Sequence, residues 1–144
     1  MRTVGHVLDT KGSGVVSIEP SASVYDALTL LAQKNIGALV VLEGDVVVGI
    51  LSERDYARKV ILRGESSKEL RVDKIMTKRP SCIGREWTVE ECMALMTEKR
   101  FRHLPVIDGG RLSGVISIGD VVKWVIADRE ETIEQLEEYI KHGG

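Results

Sequence analysis

Gly49-Ile50-Leu51-Ser52-Glu53-Arg54-Asp55 is answered by Gly114-Val115-Ile116-Ser117-Ile118-Gly119-Asp120 at an offset of 65 positions. The offset extends outward from this stretch: residues 16–61 overlay residues 81–126 without a gap, and 12 of the 46 pairs are identical. The identities start from Ile18, Val24, Leu30, Lys34, Leu39, Val41, Gly44, Gly49, Ser52, Asp55, Val60 and Ile61. Asp26 over Glu91, Leu28 over Met93 and Leu51 over Ile116 are conservative matches. Equal spacing with similar character means two copies of one supersecondary unit, each unable to bury its apolar face alone.

Both copies read alike. A short strand near residues 15–18 leads to Ser23 and Asp26, spaced as a helix-starting capping box, and Thr88 and Glu91 repeat that spacing. Val24, Ala27, Leu28 and Leu31 recur at helical intervals, as do Val89, Cys92, Met93 and Met96, so the methionines are expected in the core. Two apolar β-type runs, 38–42 and 46–51, flank the turn Glu43-Gly44-Asp45, and runs 104–107 and 112–116 flank Asp108-Gly109-Gly110. A second helix is predicted from near Glu53 and from near Ile118. Each copy is therefore strand, helix, strand, strand, helix: an α+β protein of two repeats packed with pseudo-two-fold symmetry. Residues 63–70 are polar and read as a surface linker. The division by chain order is 1–66 for the first repeat with its N-terminal segment, 67–127 for the second, and 128–144 for a C-terminal helical extension.

Composition narrows the function. At 144 residues, with 43% hydrophobic and 29% charged residues, the chain is one globular domain's worth of protein with a real core. A net charge of −2 excludes a general nucleic-acid binder, which carries a basic excess. The sequence has no run of about eighteen apolar residues and no apolar signal segment, so the expected place is the cytoplasm, away from membranes. Cys82 and Cys92 have no histidine at ligand spacing, so no metal is expected and both thiols are assigned to the core. His6, His103 and His142 are scattered and form no nucleophile–base pattern, which argues against an enzyme. Gly12-Ser13-Gly14 precedes a strand instead of joining strand to helix, and is rejected as a dinucleotide loop.

The element order, the Leu104-Pro105-Val106-Ile107-Asp108 run and the paired Gly-to-Asp stretches resemble the CBS domain family, whose tandem pair is called a Bateman module. The resemblance covers about residues 7–127 and implies a free-standing regulatory sensor pair that binds adenosine-type ligands between its repeats. It implies nucleotide-binding roles for Ser52, Arg54, Asp55, Arg102, His103, Ser117, Asp120, Ile18, Ile83 and Pro105. AMP and NAD are the first expectations for the ligand; ATP, ADP and S-adenosylmethionine share the same adenosine end.

The residue types suit that chemistry. One carboxylate accepts both protons of a ribose diol, a role open to Asp55 and Asp120. Ser52 and Ser117 stand at strand-to-helix junctions, where amides and the helix dipole favour a phosphate. The competing reading is that both Ser-x-x-Asp pairs are only N-caps. Arg102-His103 in the second copy faces Gly37-Ala38 in the first. In the resembling family these positions point at ligand phosphates, and a planar guanidinium donates to phosphate in pairs. Their alternative is a solvated strand end. Arg58, Lys59, Arg100 and Lys123 rank lower, as charged helix residues usually face solvent.

A second function stays open beside nucleotide sensing: a ligand-free interaction module serving assembly. Ile126, Ile133, Leu136 and Ile140 form an apolar stripe flanked by Glu130, Glu131, Glu134, Glu137 and Glu138. With the family's habit of two-fold pairing, it leads to the expectation of a homodimer signalling to a downstream effector. The alternative is that the stripe packs on its own chain.

Overall fold

The computed structural model describes residues 2–12, 14–64 and 66–141; Ser13 of the rejected glycine loop and His142 lie outside them. The elements are α1 (Val4–Lys11), β1 (Ser17–Ile18), α2 (Val24–Lys34), β2 (Ala38–Glu43), β3 (Val46–Ser52) and α3 (Glu53–Tyr56). After these come β4 (Thr77–Lys78), α4 (Val89–Lys99), β5 (His103–Asp108), β6 (Arg111–Ser117) and α5 (Ile118–Lys141).

The repeat survives in detail. Ser23 Oγ accepts the Asp26 amide at 3.0 Å, and Thr88 with Glu91 closes a full capping box. Helices α2 and α4 end at matched left-handed residues, Asn35 (φ 52°) and Arg100 (φ 59°). The hairpins β2–β3 and β5–β6 share their register, with a shift after Val41 in one and after Val106 in the other. β1 lies parallel to β2 through Ile18 and Val41, and its counterpart in the second half is a single parallel bridge from Ile83 to Val106. The second helix differs. In the first half α3 has four residues and runs into a π turn at Ala57–Ile61, whereas α5 runs for 24 residues.

The sequence comparison does not reveal α1. Its Val4, Val7 and Leu8 are buried in the core of the second half, among Val89, Cys92, Met96, Leu104 and Ile116. In the same manner Leu70, Val72, Ile75 and Met76 pack on the core of the first half. The backbone pattern is common to both: Val4 N donates to Trp87 O (2.7 Å) and Val89 N to Arg2 O (2.9 Å), as Val72 N does to Ala22 O and Val24 N to Leu70 O (both 2.8 Å). These packed-on segments correspond at an offset of 68, not 65, which is why ungapped similarity fades at Val16. Division by chain order therefore cuts across the packing. Residues 4–8 sit with the second core, and Leu70, at the end of the polar linker, sits with the first.

Gly49 and Gly114, an identical pair, make room for these segments. A Cβ on Gly114 would lie 2.6 Å from Leu8 Cδ2, and one on Gly49 would collide with Met76 and reach the Thr77 carbonyl at 3.0 Å.

Two expectations about the core need correction. Cys82 is exposed, in the extended stretch after Pro80, with its thiol directed at the Pro80 carbonyl; only Cys92 is buried. Met96 is buried, but Met93 is 38% exposed because it faces a groove beside α5 and not the sheet. Along α5, Val121 is buried, while Ile126, Ile133, Leu136 and Ile140 are each more than half exposed, so the stripe does not pack on its own chain. Among the described residues no helix is long and apolar enough to cross a membrane.

Candidate functional site

Where β3 and β6 approach each other, the two halves enclose two clefts. The first is built from the Ser-x-x-Asp stretch of one half and the strand start of the other; the second takes Ser117 alone of its stretch, with the strand start of the first half.

The first cleft has a volume of about 750 Å³, within the range of about 300–1,000 Å³ usual for small-molecule sites. Ser52, Arg54 and Asp55 enter it from the first half, Arg102 and His103 from the second. Ser52 and Asp55 form a complete capping box: Ser52 Oγ accepts the Asp55 amide at 3.2 Å, and Asp55 Oδ2 accepts the Ser52 amide at 3.0 Å. Capping does not exhaust the carboxylate, which has about four lone-pair positions. Lys59 holds its other oxygen, Oδ1, at 3.2 Å.

Arg58 and Arg100, which rank low from sequence, also line this cleft. Arg58 follows Asp55 by three positions, near one helical turn, a spacing legible in the sequence. Arg100 is a left-handed residue, a conformation that costs a non-glycine about 1–2 kcal/mol. Among the described residues none of Arg54, Arg58, Arg100 and Arg102 has an ion-pair partner. Their mutual repulsion registers on Arg54, whose guanidinium is held below its ordinary value first by Arg58 and next by Arg102. Phe101, Pro80 and Ile50 add apolar wall. A concave site with one carboxylate, four unpaired guanidinium groups and an apolar side suits a ligand that joins a diol, an anion and a flat apolar ring.

The second cleft is smaller, about 270 Å³. Gly37 and Ala38 stand where the first has Arg102 and His103, so this strand start brings no cation. Ser117 lines the cleft and accepts the Asp120 amide at 3.1 Å; Asp120 Oδ2 accepts the Ser117 amide at 2.9 Å. Asp120 is not among the lining residues. Lys11 of α1 stands there, 2.7 Å from Asp120 Oδ2 and 3.1 Å from the Val115 carbonyl. Burial works to raise the Asp120 carboxyl, but the bonds from Lys11 and from the Ser117 amide outweigh it, and the net direction is down.

His103 lines both clefts. Burial, and after it Lys11, lowers its imidazole, Arg102 adds to the shift and Asp120 opposes it.

Besides Asp120, three sequence-nominated residues line neither cleft. Ile83 and Pro105 are buried in the second half, where the Ile83 amide donates to Pro105 O at 2.9 Å, and Ile18 packs on the core of the first. Two helix-start amides in each half are already engaged. Glu53 N is bonded to Gly37 O and Ile118 N to Arg102 O, and the Asp55 and Asp120 amides go to their serines. The guanidinium groups, not the helix starts, carry the positive charge of the first cleft. Among the described residues no group of three His, Cys, Asp or Glu side chains is placed to hold a metal.

Comparison with known proteins agrees with this architecture. The sequence profile of the CBS domain matches residues 4–62 and again residues 72–127. The CBS domain-containing mitochondrial protein CBSX3 of Arabidopsis thaliana is 39% identical, over 98% of this chain and 73% of its own length. A candidate signal-transduction protein with CBS domains from Burkholderia ambifaria superposes with a TM-score of 0.83 at 52% identity, covering 88% of this chain and 95% of the other. The crystal structure of CBSX2 in complex with AMP superposes with a TM-score of 0.70 at 29% identity, covering 90% of this chain and 99% of the other.

Proposed function

Because the chain belongs to the CBS domain family, we propose that it is a regulatory sensor binding an adenine nucleotide in the cleft between its repeats, chiefly in the first cleft. The observation that carries this reading is the meeting of Asp55 with Arg54, Arg58, Arg100 and Arg102 across one cleft. The carboxylate accepts the ribose hydroxyls, the guanidinium groups take the phosphate and the apolar wall takes the adenine. The AMP bound by CBSX2 supports this ligand class. AMP and NAD suit the site better than S-adenosylmethionine, whose sulfonium would meet four cations. ADP and ATP fit the charge and differ in how many of the arginines they engage.

The sensor acts as an assembly. The exposed stripe of α5 and the groove formed by Met93, Val125 and Ile133 supply an apolar face for a second copy. A ligand that fills the inter-repeat cleft then ties the two halves together and reports energy status to a downstream protein without chemistry of its own.

A ligand that binds only the folded state raises its stability. In a thermal shift series AMP and NAD should raise the melting temperature at concentrations where adenosine raises it less and S-adenosylmethionine least. No shift with any adenine nucleotide at millimolar concentration would leave the ligand-free interaction module as the better account.

A further inference from the structure

We propose that Lys11 is a built-in occupant of the second cleft, its ammonium filling the place at Asp120 that a ribose diol would take, so that the chain loads one nucleotide in the first cleft and admits a second only when Lys11 is displaced. This rests on the nucleotide reading above and assigns the two clefts unequal roles.

The sequence gives the two sites equal carboxylates, since Asp55 and Asp120 occupy the same repeat position and are capped to matched serines. Their lysines are not equivalent. Lys59 reaches Asp55 from the next helical turn, bonds the Ile75 carbonyl at 2.8 Å, and leaves Asp55 lining an open cleft. Lys11 reaches Asp120 from the other end of the chain and lines the second cleft in its stead. Besides Asp120 it holds the Val115 carbonyl, so its ammonium is fixed from two sides. The remaining volume, about 270 Å³, falls just below the usual range for small-molecule sites. A ribose approaching Asp120 must break the ion pair and leave an ammonium beside its own hydroxyls. Lys11 is also the one lysine or arginine lining this cleft, so while it is paired with Asp120 the cleft has no free cation for a phosphate. The lowered Asp120 carboxyl fits the same arrangement: the carboxylate is charged, and its Oδ2 is already answered by Lys11 and the Ser117 amide.

The pair is partly open to water, with 44% and 20% of its side chains exposed, so screening limits what its removal releases. The expected gain in second-cleft affinity is on the order of tenfold, the low end for a charge-assisted hydrogen bond. The test is titration calorimetry with adenosine and with AMP on the full chain, wild type and Lys11→Met, each also in an Asp55→Ala background that weakens the first cleft and so separates the two binding events. Lys11→Met should tighten second-cleft binding of adenosine about tenfold and leave the first cleft unchanged, while Lys11→Arg, which keeps the charge, should behave as wild type. Lys11→Gln gives the same reading should the methionine variant melt early. Unchanged second-cleft binding in Lys11→Met and Lys11→Gln overturns the proposal while first-cleft binding stands. Weaker binding of AMP but not adenosine also overturns it, making Lys11 a phosphate ligand instead of an occupant. Absence of binding to either cleft in the wild type removes the nucleotide reading and this proposal together.

Discussion

Asp55 and Asp120 share a repeat position, yet single side chains elsewhere set what each can do. Asp55 looks into a cleft whose opposite wall carries Arg102; Asp120 is covered by Lys11. The first contrast is legible in sequence, because the 65-residue offset sets Arg102-His103 against Gly37-Ala38 and so shows which half supplies the charge. The second is not legible, because the Lys11–Asp120 pair joins residues 109 apart and α1 lies outside the ungapped repeat. Ile18, Ile83 and Pro105 mark the opposite limit: they match the binding pattern in sequence but line neither cleft. If Arg102 meets the phosphate, Arg102→Ala should weaken AMP about tenfold or more and leave adenosine nearly unchanged. Equal losses for both ligands in parallel titrations would place Arg102 away from the phosphate.

At the scale of elements, helix starts and hairpins were readable because their signals are local: a capping residue three positions before an acid, or a turn between two apolar runs. The π turn after α3 and the packing of α1 were not, since both depend on what a segment meets in space. The glycine pair records that meeting in the sequence itself. Gly114 is small because Leu8 lies over it, and Leu8 is 5% exposed within a filled core. Gly114→Ala should therefore cost about 1–3 kcal/mol, the usual range for overpacking a close-packed interior. Urea denaturation would show a lower midpoint at unchanged slope. Equal stability would mean that α1 rides loosely on β6. The same substitution at Gly49 meets backbone at Thr77 as well as Met76, so it should cost at least as much.

For the whole molecule, α5 leaves apolar surface that one chain does not cover: Ile126, Ile133, Leu136, Tyr139 and Ile140 along one helix. Pairing of two copies, as proposed above, would bury it. Light scattering at micromolar concentration should give twice the 15.9 kDa chain mass, and Ile133→Glu with Leu136→Glu should return the mass to that of one chain. A wild-type mass of 15.9 kDa with and without AMP would contradict self-association through α5.

Asp55 is the third-position partner of Ser52 in a capping box in the structure and a ribose acceptor in the proposed function. The two roles separate in one experiment, calorimetric titration of AMP into wild type and Asp55→Ala, with the melting temperature of each recorded. Loss of the capping-box bond to the Ser52 amide should cost about 1 kcal/mol of stability. Loss of the ribose acceptor should weaken AMP about tenfold to a hundredfold, the share of a hydrogen bond to a charged group. Both losses together are the predicted result; a variant that melts slightly lower and binds AMP as tightly as wild type would make Asp55 a capping-box residue and nothing more, and would contradict nucleotide sensing at this cleft.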